Sequence, residues 1–89
     1  MATLTIERIQ QDIRAMSVAR ALTVANEVAL AEGTLPAESL ITVSEERSDS
    51  GDLWCIHYGA RDCIRQRGGD LIVMVDQQSD AVREVLHGQ

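Results

Sequence analysis

The sequence predicts an α+β fold in which an N-terminal helix, or a pair of helices, packs on a four-stranded antiparallel meander sheet. Up to about residue 30, the apolar residues recur every three or four positions, which is the spacing of one helix face. After Pro36 they alternate with polar residues in short β-branched runs, which is the spacing of strands. Polar turns separate these runs, so neighbouring strands are expected to pair antiparallel.

The helical part carries two apolar sets that do not share one face. The first set is Ile6, Ile9, Ile13 and Met16, and the second is Val18, Ala21, Leu22, Ala25, Val28 and Ala29. At about 100° per residue, the two sets centre roughly 140° apart around the helix axis. One straight helix cannot point both sets into one core, so we expect a break near Ser17, a favourable N-cap residue. The alternative is one long helix whose first half contacts a partner. Gly33 and Pro36 end the helix in either case.

The rest of the chain reads as strands and turns, and we expect a single domain over residues 1–89. Strands are expected at residues 40–45, 53–58 and 71–75 and from residue 82 onward, with turns at 47–52 and 76–80 and an eleven-residue connection at 59–69. This assigns residues 1–16 to an N-terminal helix or arm, 17–33 to the main helix and 38–89 to the antiparallel sheet.

Strand alternation sorts the side chains of the sheet into two faces. The face expected to cover the main helix carries Ile41, Val43, Trp54, Ile56, Tyr58, Leu71, Val73 and Val75. The opposite face carries Leu53, Cys55, His57, Ile72 and Met74, which is too apolar a set to leave in water. We therefore expect this second face to be covered, either by the first helix folding over it or by another chain.

Few residues could carry chemistry. Cys55, His57, Cys63 and His87 are the only soft metal ligands, and they lack the paired spacing of a zinc site. No nucleophile elbow or phosphate loop accompanies them. We expect no bound metal, no cofactor and no catalysis, and we keep a small enzyme with His57 as general base as an alternative.

The charge of the chain limits its partners. It holds 14 acidic residues against 8 basic residues, for a net charge of −6, which argues against non-specific binding to nucleic acid. Residues 1–8 show neither the basic head nor the apolar core expected of a signal sequence, and no apolar run approaches the roughly 18 residues that a membrane span needs. We expect a cytoplasmic protein, with no membrane contact, whose Cys55 and Cys63 are free thiols.

An acidic segment is the candidate surface for a protein partner. Glu45, Glu46, Asp49 and Asp52 could face the basic active-site groove of another protein. A plain solvated loop between two strands is the alternative. The strand that follows adds Trp54, His57 and Tyr58 as candidate contacts, although Trp54 also fits the core because Ile56 and Tyr58 share its face.

Four stretches carry a family resemblance: residues 21–27, 54–59, 69–76 and 82–89, an alanine-rich helix followed by three strand segments. This pattern resembles the small bacterial immunity proteins with a nuclear-transport-factor-two-like, cystatin-like fold. It is also similar to PepSY-type modules, and it covers about residues 18 to 89. Those families usually place glycine in the last hairpin turn, where this chain has Asp80, a residue that tolerates the left-handed conformation.

The resemblance implies a helix packed on a curved antiparallel sheet and offers no catalytic residues to carry over. It implies an immunity-type protein that binds a cognate bacterial toxin and occludes its active site. A homodimeric cystatin-like module that holds a small apolar ligand between helix and sheet is the alternative from another class.

Overall fold

The computed structural model describes residues 6–60 and 70–88. One helix, α1 (Ile6–Ala31), is followed by a 3₁₀ turn (Pro36–Glu38) and by four strands: β1 (Ser39–Glu46), β2 (Leu53–Ala60), β3 (Leu71–Asp76) and β4 (Val82–His87). The strands form one sheet in the order β1-β2-β3-β4, and each neighbouring pair is antiparallel. The α+β meander predicted from the sequence is therefore confirmed.

The predicted break near Ser17 is wrong, because α1 runs without interruption from Ile6 to Ala31. Ser17 does not cap a helix. Its side chain is buried, and its hydroxyl accepts a 2.9 Å hydrogen bond from the indole N–H of Trp54. The long helix, which the sequence left as the alternative, is the arrangement observed. Both apolar sets consequently lie on one helix. The second set packs against the sheet, whereas Ile13 and Met16 of the first set are exposed.

The helix ends as the sequence predicts. Gly33 has a φ of +86°, the left-handed conformation that favours glycine at this position. The N–H of Gly33 donates to the carbonyl of Leu30, and the N–H of Thr34 donates to that of Ala29. These two bonds form a Schellman motif, which satisfies carbonyl groups at the end of α1. The 3₁₀ turn that begins at Pro36 then leads into β1.

The core lies between α1 and one face of the sheet. Ala21, Ala25 and Ala29 have no exposed surface and recur every four residues, so they form one stripe along the helix. They pack against the predicted strand face, where the largest fully buried side chains are Tyr58, Ile56, Leu71, Val73 and Val75. The small alanine side chains let the helix backbone approach the sheet closely.

The hairpin between β3 and β4 depends on two aspartates. The Asp76 carboxylate accepts hydrogen bonds from the backbone N–H groups of Gln78 and Ser79. Asp80 has a φ of +60°, the left-handed conformation that the sequence anticipates at this glycine-like position. The strand register shifts between Met74 and Val75, which inserts a bulge into the pairing with β4.

The second sheet face is not covered by the first half of α1, and that part of the prediction is wrong. The Arg14 side chain contacts Trp54 and Glu45, which lie on the helix side of the sheet. The whole described helix therefore lies on one side. Coverage by another chain, the other option, stays a prediction. Among the described residues no helix lies on the other side of the sheet, which we name the open face. Its members are Leu40, Thr42, Ser44, Glu46, Leu53, Cys55, His57, Ile72, Met74, Asp76, Glu84 and Leu86.

Candidate protein-interaction face

The open face is built by cross-strand pairs that the register brings into rows. One row contains Thr42, His57, Ile72 and Leu86, and the next contains Ser44, Cys55, Met74 and Glu84. A third row joins Glu46, Leu53 and Asp76 near the turn between β1 and β2. Side chains directly opposite each other in such rows touch, so the face is one continuous surface.

The centre of the open face is apolar and only partly shielded. Met74 is buried, and Leu53, Cys55 and Ile72 are half-buried. Leu86 at one edge strand is 40% exposed, and Leu40 at the other is 60% exposed. Contiguous apolar surface of this kind is typical of an interaction site.

Carboxylates surround this apolar centre. Glu46 and Glu84 are exposed, and Asp70 and Asp76 lie half-buried at opposite ends of β3. Among the residues that the structure describes, only Asp76 has an arginine partner, the Arg83 guanidinium at 3.0 Å. The backbone hydrogen bonds from Ser79 and Gln78, followed by Arg83, hold the pKa of Asp76 below its usual value. The rim therefore carries negative charge at neutral pH.

His57, on the open face, has a carboxylate partner at the edge of that face. Its Nε2 lies 2.9 Å from the Asp70 carboxylate. A Cβ on Gly59 would lie 3.4 Å from the imidazole Cε1, so the ring leans over Gly59. Along β2 this is the direction away from Cys55, and the two side chains do not form a nucleophile–base pair. Asp70 can orient His57, and the described residues place no pocket beside it.

The four carboxylates of the acidic segment, Glu45, Glu46, Asp49 and Asp52, do not lie together on one surface. Glu46 and Asp49 are exposed and Asp52 is half-buried. Glu45 lies on the helix side, where Gln77 and Arg14 donate hydrogen bonds to its two carboxylate oxygens at 2.9 Å and 3.0 Å. The Gln77 bond and then the Arg14 bond lower the pKa of Glu45. Its carboxylate is engaged within the fold, whereas Glu46 is available on the open face.

Trp54 and Tyr58 are anchors for α1 on the covered side of the sheet. Trp54 is 5% exposed, bonds Ser17 and lies 5.3 Å from the Arg14 guanidinium. Tyr58 is 2% exposed, and its hydroxyl donates to Asn26 Oδ1 at 2.6 Å. Burial raises the pKa of Tyr58 to about 12. The structure thus separates these two candidate residues from His57, which lies on the open face.

The described residues can also be examined for a metal site, a reactive thiol, an internal cavity and a membrane-spanning helix. Among residues 6–60 and 70–88, no three His, Cys, Asp or Glu side chains gather as metal ligands would. Cys55 is a free thiol, and Cys63 lies outside the described residues. The described chain also encloses no cavity between α1 and the sheet. No helix in this part has the length and apolar character needed to cross a membrane.

Several members of the open face were not singled out from the sequence. Glu84, Leu86 and Asp76 join it through the pairing of β3 with its two neighbours, and Asp70 lies beside it just before β3. Alternation along β3 places Ile72, Met74 and Asp76 on one side. The bulge at Met74 and Val75, however, shifts the register of β4, and no local signal in the sequence locates it.

The fold and this surface define an α+β domain whose sheet has one face under a helix and one open face with an acidic rim. No protein-family model matches the chain, and comparison with curated proteins and with solved structures finds no match. The functional proposal therefore depends on the geometry and charge of the open face.

Proposed function

We propose that this chain is a non-catalytic binding protein that uses its open face to cover the active site of a basic protein. The class that suits it best is an immunity protein, whose partner is a toxin domain from a bacterium. A single observation carries the proposal: an apolar strand surface, opposite the helix, is bounded by carboxylates.

The apolar centre would supply the affinity. Burying large apolar side chains stabilises a complex by roughly 1.5 kcal/mol or more for each one removed from water. Leu86 and Leu40 have exposed surface to lose. Ile72 lies directly opposite Leu86, and Leu53 lies at the other end of the face. The anchors beneath the sheet, Trp54 among them, hold the strands in place, so little ordering is needed on binding.

The acidic rim would supply selectivity and speed. Many active sites that act on phosphate-containing substrates are basic, and a carboxylate-lined surface attracts them over a distance set by ionic strength. Glu46, Asp49 and Asp52 lie at or beside the end of the open face near the turn after β1, and Glu84 lies on β4. Glu45 supports this end of the sheet through Arg14 rather than facing a partner.

The proposal is tested by matched substitutions on the two sides of the molecule. Glu84→Gln on the open face and Glu27→Gln on α1 each remove one exposed charge. Leu86→Gln and Leu30→Gln each remove one exposed leucine, at 40% and 56% exposure. Each protein encoded by a gene next to that of this chain is produced, its association with the parent protein and the variants is measured at two ionic strengths, and its activity is measured in the presence of each.

We expect the two open-face variants to weaken both binding and inhibition. Glu84→Gln should act mainly on the association rate at low salt, and Leu86→Gln mainly on the dissociation rate. The two α1 variants should behave like the parent protein. Equal effects on both sides, or a loss of binding confined to the α1 variants, would contradict the proposal.

A further inference from the structure

The outward side of the first half of α1 carries exposed apolar side chains that the fold does not use. Ile13 is 60% exposed and Met16 is 61% exposed. The sheet contacts of α1 lie on another side of the helix, at Ser17 and the alanine stripe. Exposed apolar side chains on one side of a helix are typical of a surface that binds another molecule.

The spacing on this outward side is that of a coiled-coil seam. Ile6, Ile9, Ile13 and Met16 follow one another at intervals of three, four and three residues, as do the two core positions of a heptad. Continuing the same pattern along α1 reaches Arg20, Thr23 and Glu27, which are polar. The apolar seam is therefore confined to residues 6–16.

This seam is complementary to itself under a two-fold axis. When two helices run antiparallel and cross at residue 11, position 6 faces position 16 of the other copy, and position 9 faces position 13. Every layer then pairs two large apolar residues. We propose that the first half of α1 is a self-association surface, through which two copies of this chain form an antiparallel helix pair.

Charge favours a second copy over a basic partner at this surface. Residues 6–16 contain Glu7 and Asp12 against Arg8 and Arg14, so the segment is neutral, whereas the whole chain carries −6. Two copies can approach through this segment with little repulsion, while their acidic surfaces repel each other elsewhere. A basic partner would instead be drawn to the carboxylates of the open face.

The size of the seam sets the expected affinity. The seam has four large apolar residues in each copy, fewer than the twenty or so residues a side of a standard interface. We therefore expect a weak dimer, with a Kd roughly between 10 µM and 1 mM. The pair would leave both open faces free, because each lies across the sheet from α1. The dimer would thus present two binding faces.

The test is self-association of the whole chain across concentration. Sedimentation equilibrium from about 10 µM to 1 mM should show a monomer–dimer equilibrium for the parent protein. Ile13→Glu and Met16→Gln should each weaken the dimer at least tenfold. Both positions are exposed, so the monomer should keep its fold at low concentration.

Leu30→Gln is the matched control. Leu30 is 56% exposed on the same helix and outside the seam, so its variant should associate like the parent protein. A parent protein that stays monomeric up to 1 mM would overturn the proposal. So would a dimer that Leu30→Gln weakens as much as Ile13→Glu does, because the contact would then involve the second half of α1.

Orientation is tested by cross-linking between two variants that lack Cys55 and Cys63. Ile9→Cys mixed with Ile13→Cys should form a disulfide-linked dimer quickly under mild oxidation, since these positions face each other across the antiparallel pair. Either variant alone should link slowly. Rapid linking of like with like would indicate a parallel pair and would contradict the antiparallel arrangement.

Discussion

The hydroxyl of Ser17 accepts a 2.9 Å hydrogen bond from the indole N–H of Trp54, and both side chains are buried. Ser17 lies near the middle of α1, and Trp54 lies on β2, 37 positions later in the chain. This bond connects the helix to the sheet one turn before Ala21, the first residue of the alanine stripe. The residue that suggested a helix break from the sequence is thus an anchor for a continuous helix.

Replacing Ser17 by alanine should lower the free energy of unfolding by about 1–3 kcal/mol, because the buried indole N–H would lose its acceptor. The measurement is urea denaturation followed by tryptophan fluorescence. Ser44→Ala, at an exposed strand position, is the control and should change stability by less than about 0.5 kcal/mol. Equal stability of Ser17→Ala and Ser44→Ala would show that the bond contributes nothing.

Enlarging the alanine stripe should push α1 away from the sheet. Ala25 has no exposed surface and packs against the core strands. We expect Ala25→Leu to destabilise the protein by about 1–3 kcal/mol or more, because the core has no room for the added methylenes. Ala19→Leu on the exposed side of α1 changes the same groups and should cost little. Thermal unfolding of the two variants distinguishes these expectations.

The stability of the protein should fall at high pH because of Tyr58. Burial raises its folded pKa from 10.0 to about 12, so the folded state holds the proton after the unfolded state has released it. The contribution is present below pH 10 and is lost as the pH rises toward 12, for a total of at most about 3 kcal/mol.

Tyr58→Phe isolates this effect. The variant lacks the titrating hydroxyl, so its stability should decline less than that of the parent protein between about pH 10 and 12. The measurement is the urea midpoint across that range. Parallel decline of both proteins would assign the pH dependence to other groups. At pH 7 the variant should be less stable, because Asn26 Oδ1 loses its hydrogen-bond donor.

Acid should destabilise the β3–β4 hairpin through Asp76. The folded pKa of Asp76 lies below 3.8 because backbone N–H groups, Ser79 first, bond the ionised carboxylate. Its contribution is present above the unfolded pKa and is lost as the pH falls through the folded pKa. Asp76→Asn should lose less stability than the parent protein as the pH falls below about 4, with Asp49→Asn, at an exposed position, as the comparison variant. Identical acid limbs for both variants would contradict this role.

The prediction of the strand faces from alternation succeeded because a strand's side chains have a period of two, whatever the strand pairs with. Trp54, Ile56 and Tyr58 could be assigned to one face for this reason alone. The course of α1 could not be settled in the same way. Two apolar sets at different angles fit either a broken helix or a long one, and only the packing of Ser17 against Trp54 decides between them.

For the candidate site, too, some properties follow from the sequence and others only from the fold. Composition alone determines that the chain is acidic, because net charge does not depend on the fold. Which carboxylates are free depends on the fold. Glu45 and Glu46 are neighbours in sequence, yet Arg14 and Gln77 hold the first on the helix side while the second lies on the open face.

The sequence determined the fold class, the helix stop and the strand faces, all of which follow from local geometry. The tertiary structure decided the open face and the outward helix seam, because both depend on where a helix of fixed direction meets the sheet.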